Sequence, residues 1–142
     1  MPDTPLDPAS VRVRRRVEWM DTDAAGIYHW TTIGRFFESA EAALFRALAL
    51  PEGMLALTPR VSVHLEFRSS LRFGDEAWVQ LTVLRVGRAS LRYGLAVTDL
   101  EDRPKADGEI VCCLLDPERG GPQPWPDEVR HALQTSGRVD GA

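Results

Sequence analysis

The 142-residue chain is poor in cysteine: it has two, Cys112 and Cys113, and they are neighbours. Adjacent residues of a strand point to opposite faces, so this pair is badly placed to bridge. Such usage predicts a reduced, cytoplasmic protein with the cysteines as ordinary strand residues. Long apolar runs are missing too; none approaches the ~20 residues that span a bilayer. The proline-rich opening MPDTPLDPAS lacks the charged-then-apolar pattern of a signal peptide. The net charge is -4, so there is no excess of positive charge, which argues against nucleic acid as a partner. Arg14, Arg15 and Arg16 adjoin one another, but Glu18 and Asp21 follow at once. Histidines at 29, 64 and 131, with one isolated cysteine pair, give no zinc spacing. No internal repeat is visible.

What is present is a core. At 44% apolar residues, the length suits one domain. Residues 1–10 read as a disordered lead-in, residues 11–133 as the domain and residues 134–142 as a flexible tail. Val11, Val13, Val17 and Trp19 alternate with arginines and predict a half-exposed strand. Ile33, Phe36, Phe37, Ala40, Ala43, Leu44, Ala47 and Leu48 then follow the i, i+3, i+4, i+7 rule of an amphipathic helix. Pro51 and Gly53 end it. After Pro59 the period changes to two, with Val61, Val63, Leu65 and Phe67 on one side of a strand. Further strands follow over Trp78–Val86, Leu91–Val97 and Ile110–Leu115, with turns at Gly74-Asp75 and Gly87-Arg88. Four consecutive strands on short connections predict antiparallel neighbours. Pro126-Asp127-Glu128 opens a short helix reaching Leu133. The expected class is α+β, one long helix wrapped by an antiparallel sheet of about five strands.

The chemistry concentrates in WMDTDAAGIYHW, residues 19–30. Asp21 and Asp23 could share a divalent cation, but Ala24, Ala25 and Ile27 stand where a calcium loop needs oxygen ligands. One glycine with no following lysine does not make a phosphate cradle. A third reading rests on position, because the segment joins a strand to the N-terminus of the main helix. Unpaired N–H groups there favour negative charge, including a developing oxyanion, and a nearby carboxylate supplies a base or nucleophile. Against this, Asp23 serves equally well as a turn cap or a partner for an arginine. His29 either orients substrate or water, or packs beside Tyr28 and Trp30. No Ser or Cys sits in a triad setting. Glu38 follows Arg35 by three residues, which suggests a local ion pair, while Glu41 lies at the margin of the apolar stripe. Arg85, Arg88 and Arg92 gather around one turn, solvated or holding a phosphate.

VEWMDTDAAGIYHW followed by FFESAEAAL resembles the hotdog-fold acyl-CoA thioesterases of the 4-hydroxybenzoyl-CoA and Tol-Pal-associated type. The DTDAAG block carries most of the likeness, which extends over roughly residues 11–133. The resemblance implies a hotdog fold and hydrolysis of an acyl-CoA thioester. It makes Asp23 the catalytic carboxylate, nucleophile or base, and gives the backbone N–H of Trp30 the task of polarising the carbonyl. It implies Gly26 for close chain approach, Tyr28 and Ile33 as pocket residues, and Arg88 with Ser90 as coenzyme A contacts. His29 stands one place from where the family has its histidine. A homodimer or tetramer with the site at a subunit interface is implied, with no metal or redox cofactor and coenzyme A as part of the substrate. Two other classes compete: a hotdog dehydratase or hydratase using His29, and a non-catalytic acyl-CoA or carrier-protein binder.

Overall fold

In the computed structural model, which describes residues 5–141, the helical stretch folds as α1, Thr32–Ala47. Ile33, Phe36, Phe37, Ala40, Ala43 and Leu44 are all buried against the sheet, and Phe45 joins them. Each such large side chain contributes on the order of 2 kcal/mol of burial. Ala47 is exposed, because the helix runs out over the edge of the core there. Ala49 then turns left-handed at φ 52 and closes the last turn.

The strands are β1 (Ser10–Arg16), β2 (Arg60–Phe67), β3 (Glu76–Val86), β4 (Ser90–Asp99), β5 (Pro104–Cys113) and β6 (Arg138–Asp140), with α2 at Asp127–Thr135. They form one open sheet in the order β2-β5-β4-β3-β1-β6. All pairs are antiparallel except β1 with β6. Alternation decides the faces. Val11, Val13, Ala77, Val79, Leu81, Leu91, Tyr93, Leu95, Ile110 and Cys112 are buried in the core with α1. Tyr93 meets Phe37 edge-on at 5.4 Å between ring centres. From the alternate positions of β1 the Arg12 guanidinium lies 3.9 Å over Trp78, and Arg14 pairs with Glu76.

Three expectations need correction. The sheet has six strands, since three-residue β6 is too short to show a period. Strand β2 does not pair with its successor β3; it crosses to β5, because β1 takes the free edge of β3. Gly108 permits that pairing, as a Cβ there would stand 1.9 Å from the His64 carbonyl oxygen. The chain ends are built into the fold within the described residues, where a loose lead-in and tail were expected. Asp7 and Ala9 donate from their backbones to Gln134 and Leu133, Ala9 is fully buried, and Gly137 donates back to Asp7. Residues 1–4 and 142 of those segments lie outside the described residues.

Candidate active site

The connection from β1 to α1 is built around Asp21. A short 3-10 turn, Trp19–Asp21, brings this aspartate under the helix start, where it is 3% exposed. Its carboxylate accepts from Arg35 Nε at 2.8 Å, from Arg35 Nη2, and from the Glu18 N–H at 2.8 Å. Its carbonyl accepts from the His29 N–H and the Thr32 hydroxyl. Burial alone pushes the carboxyl up, but the Arg35 and Glu18 hydrogen bonds and the Arg35 and His29 charges outweigh it. They hold Asp21 below the usual aspartate range. Asp21 is therefore a fixed anion that locks the loop.

Asp23 sits on the tip that this lock presents. Its N–H donates to the Ile27 carbonyl at 2.8 Å, its carbonyl accepts from the Gly26 N–H, and Oδ1 accepts from the Ala25 N–H at 2.8 Å. Gly26 carries φ 78, which this reversal requires. The turn brings Thr22 opposite Tyr28 and Ile27 opposite Arg72. Asp23 is half-buried, and its Oδ2 accepts no hydrogen bond from the described residues. The carboxylate is thus oriented through one oxygen and free at the other.

Helix α1 begins at Thr32, directly after His29, Trp30 and Thr31. The N–H groups of Trp30 and Thr31 donate to no acceptor among the described residues. Both belong to the helix N-terminus, where free donors and the peptide dipoles favour an anion. The Trp30 side chain is 69% exposed, and the His29 ring makes no hydrogen bond among the described residues.

The remaining candidate residues divide. Ile33 lines a groove of about 110 Å³ between α1 and β2, together with Gly34, Phe37, Glu38, Arg60, Val63, Leu65, Leu95 and Ile110. Tyr28 is buried as an anchor: its hydroxyl reaches the Ser69 and Lys105 carbonyls at 3.3 Å. Arg88 lies in the β3–β4 turn and Ser90 opens β4, roughly 30 Å along the sheet from the Asp75 end where the Asp23 loop attaches. One chain does not bring them to Asp23. The Arg35–Glu38 pair expected from spacing does not form, because Arg35 reaches down to Asp21. Glu41 is 1% exposed and pairs with Arg60 at 2.7 Å, with the Cys112 thiol 3.9 Å away. Burial, then Glu41, pushes that thiol up to about 11. Neither the partner of Arg35 nor that of Arg60 is legible in the sequence, since tertiary contact sets both.

A sequence profile of the Thioesterase-like superfamily matches residues 17–133. Solved structures share the fold. A hypothetical protein from Aquifex aeolicus is 26% identical with TM-score 0.79, over 87% of this chain and 98% of that one. A thioesterase from Thermus thermophilus, complexed with coenzyme A and zinc, is 24% identical with TM-score 0.77, over 86% and 95%. A 1,4-dihydroxy-2-naphthoyl-CoA thioesterase from Synechocystis is 17% identical with TM-score 0.80, over 87% and 95%. The last two speak for the fold, and the profile, which spans most of the sequence, speaks for kinship: this chain belongs to the Thioesterase-like superfamily.

Proposed function

We propose that the protein hydrolyses an acyl-CoA thioester to the free acid and coenzyme A, with Asp23 as the working carboxylate. The observation that carries this reading is the pair of free N–H groups, Trp30 and Thr31, at the helix start that follows the Asp23 turn. A thioester carbonyl placed there gains a donor from the Trp30 backbone as charge builds on its oxygen. As a base, Asp23 takes a proton from water while the oxygen of that water bonds to the carbonyl carbon. The tetrahedral intermediate then collapses, the C–S bond breaks, and the thiolate takes up the proton. As a nucleophile, Asp23 itself bonds to the carbonyl carbon, expels the thiolate and leaves a mixed anhydride for water to cleave. Both routes use the same free Oδ2. Neither calls for a metal or redox cofactor, and coenzyme A enters as part of the substrate.

The coenzyme A carried by the Thermus thermophilus thioesterase and the CoA thioester in the Synechocystis enzyme's name support the leaving group. The DTDAAG block supports the 4-hydroxybenzoyl-CoA and Tol-Pal-associated type, and the free neighbouring cysteines, Cys112 and Cys113, support a cytoplasmic setting. Gly26 and Ile33 belong to the substrate side of the site, with Tyr28 holding the loop from below. We further propose a homodimer, or a tetramer built from it, with the site at the interface. That brings Arg88 and Ser90 of a second copy within reach of a coenzyme A bound near Asp23. His29 orients substrate or water in this scheme.

A panel of acyl-CoA thioesters, followed by thiol release, tests the proposal. Asp23→Asn lowers kcat by about 100-fold or more, whereas His29→Ala has a smaller effect. Equal, slow hydrolysis by wild type and Asp23→Asn overturns it. Water adding to or leaving an enoyl thioester, with no thiol released, supports a hydratase instead.

A further inference from the structure

The groove between α1 and β2 has a chemistry that the catalytic scheme does not use. Its walls are apolar, from Ile33, Phe37, Val63, Leu65, Leu95 and Ile110, and it starts at the first turn of α1. Two charged residues also line it, Arg60 and Glu38. Arg60 is already matched by buried Glu41, at 2.7 Å. Glu38 forms no hydrogen bond or ion pair among the described residues, so the unbalanced charge of the groove is negative. Gly34 lies one helical turn before Glu38 on the same face. Nothing stands within 4 Å of the place where its Cβ would be. Glycine is a poor helix residue, and here it avoids no clash within the chain. What it does is leave the groove open.

Resting on the thioesterase reading, we propose that this groove receives the acyl group, and that Glu38 is a specificity-determining residue selecting uncharged acyl groups against those ending in a carboxylate. An uncharged acyl group removes apolar wall from water without opposing Glu38. A terminal carboxylate enters a half-enclosed space whose one unmatched charge, on the exposed Glu38, has its own sign, so the two repel to the extent that solvent and salt leave unscreened. Gly34 supplies the width.

The test uses hexanoyl-CoA and adipoyl-CoA, which share six acyl carbons and differ by a terminal carboxylate. Wild type favours hexanoyl-CoA in kcat/KM several-fold, mostly through KM, and the ratio shrinks as salt is added. Glu38→Gln raises kcat/KM for adipoyl-CoA several-fold, and Glu38→Lys reverses the order of the two substrates. A purely structural role for Glu38 would leave the ratio unmoved. An unchanged ratio in both variants overturns the proposal while leaving hydrolysis standing. A changed molecular mass with an unchanged ratio also overturns it, assigning the groove to a second copy of the chain. Failure of wild type to hydrolyse any thioester overturns the parent reading and this one together.

Discussion

Two buried carboxylates, one beneath the start of α1 and one on the helix itself, are both pushed up by burial, yet their neighbours leave them shifted in opposite directions. Asp21 is held below the usual aspartate range by Arg35 and the Glu18 N–H, so the folded state binds its proton less readily than the unfolded chain does. Its contribution is complete above the unfolded pKa and is lost as pH falls through the folded one. Glu41 is pushed above 4.5 by burial, against the pull of Arg60. Its sign is reversed: stability is greatest below that value and declines as pH rises through the raised pKa. Urea titrations across pH separate the two. Asp21→Asn lowers stability by roughly 1–3 kcal/mol near neutrality, discounted for a half-exposed Arg35, and the gap to wild type closes in acid. Glu41→Gln removes a decline that wild type shows above pH 4.5. A gap that stays constant from neutral to acid pH contradicts the assignment to Asp21. In the sequence, DTDAAG marks the loop, but the roles of its two aspartates are not separable there. Only Arg35, reaching back from the helix, distinguishes the locked aspartate from the free one.

Among the elements, β2 is the odd one. It is an edge strand whose apolar side, Val61, Val63 and Phe67, stands 65%, 57% and 46% exposed, although its alternation is that of a core strand. Strand edges with such faces invite a further strand. Under the proposed dimer this edge meets its copy, and Val61→Glu with Val63→Glu sets like charges together across the contact. Sedimentation of that variant shows monomers, with thiol release reduced alongside. An unchanged mass rules out this edge as the interface. The strand itself is easy to recognise from its period of two, and so is α1 from its period of 3.6. The partner of β2 is not, because nothing in VSVHLEF specifies β5 over β3. Gly108, on β5, decides whether the approach is possible.

At the scale of the molecule, the sheet treats its two edges differently. The β1 side is closed by β6, and the chain ends are tied through Asp7, Ala9, Leu133 and Gly137. Removing residues 136–142 strips β6 away and bares β1. Light scattering on heating then rises earlier than for wild type, and equal scattering would mean that β6 protects nothing. These terminal contacts are invisible in the sequence because three-residue pairings leave no period. The length of β3 has another outcome. It sets Asp23 and Arg88 toward opposite ends of the sheet, so under the proposed function a substrate touching both draws on two chains. Defects in the two residues are then complementary. In the proposed dimer, mixing impaired Asp23→Asn with Arg88→Ala subunits yields hybrids in which one site carries both lesions and the other carries none. Activity on mixing then rises above that of either impaired parent, and no rise means that the two residues do not serve one site across two chains.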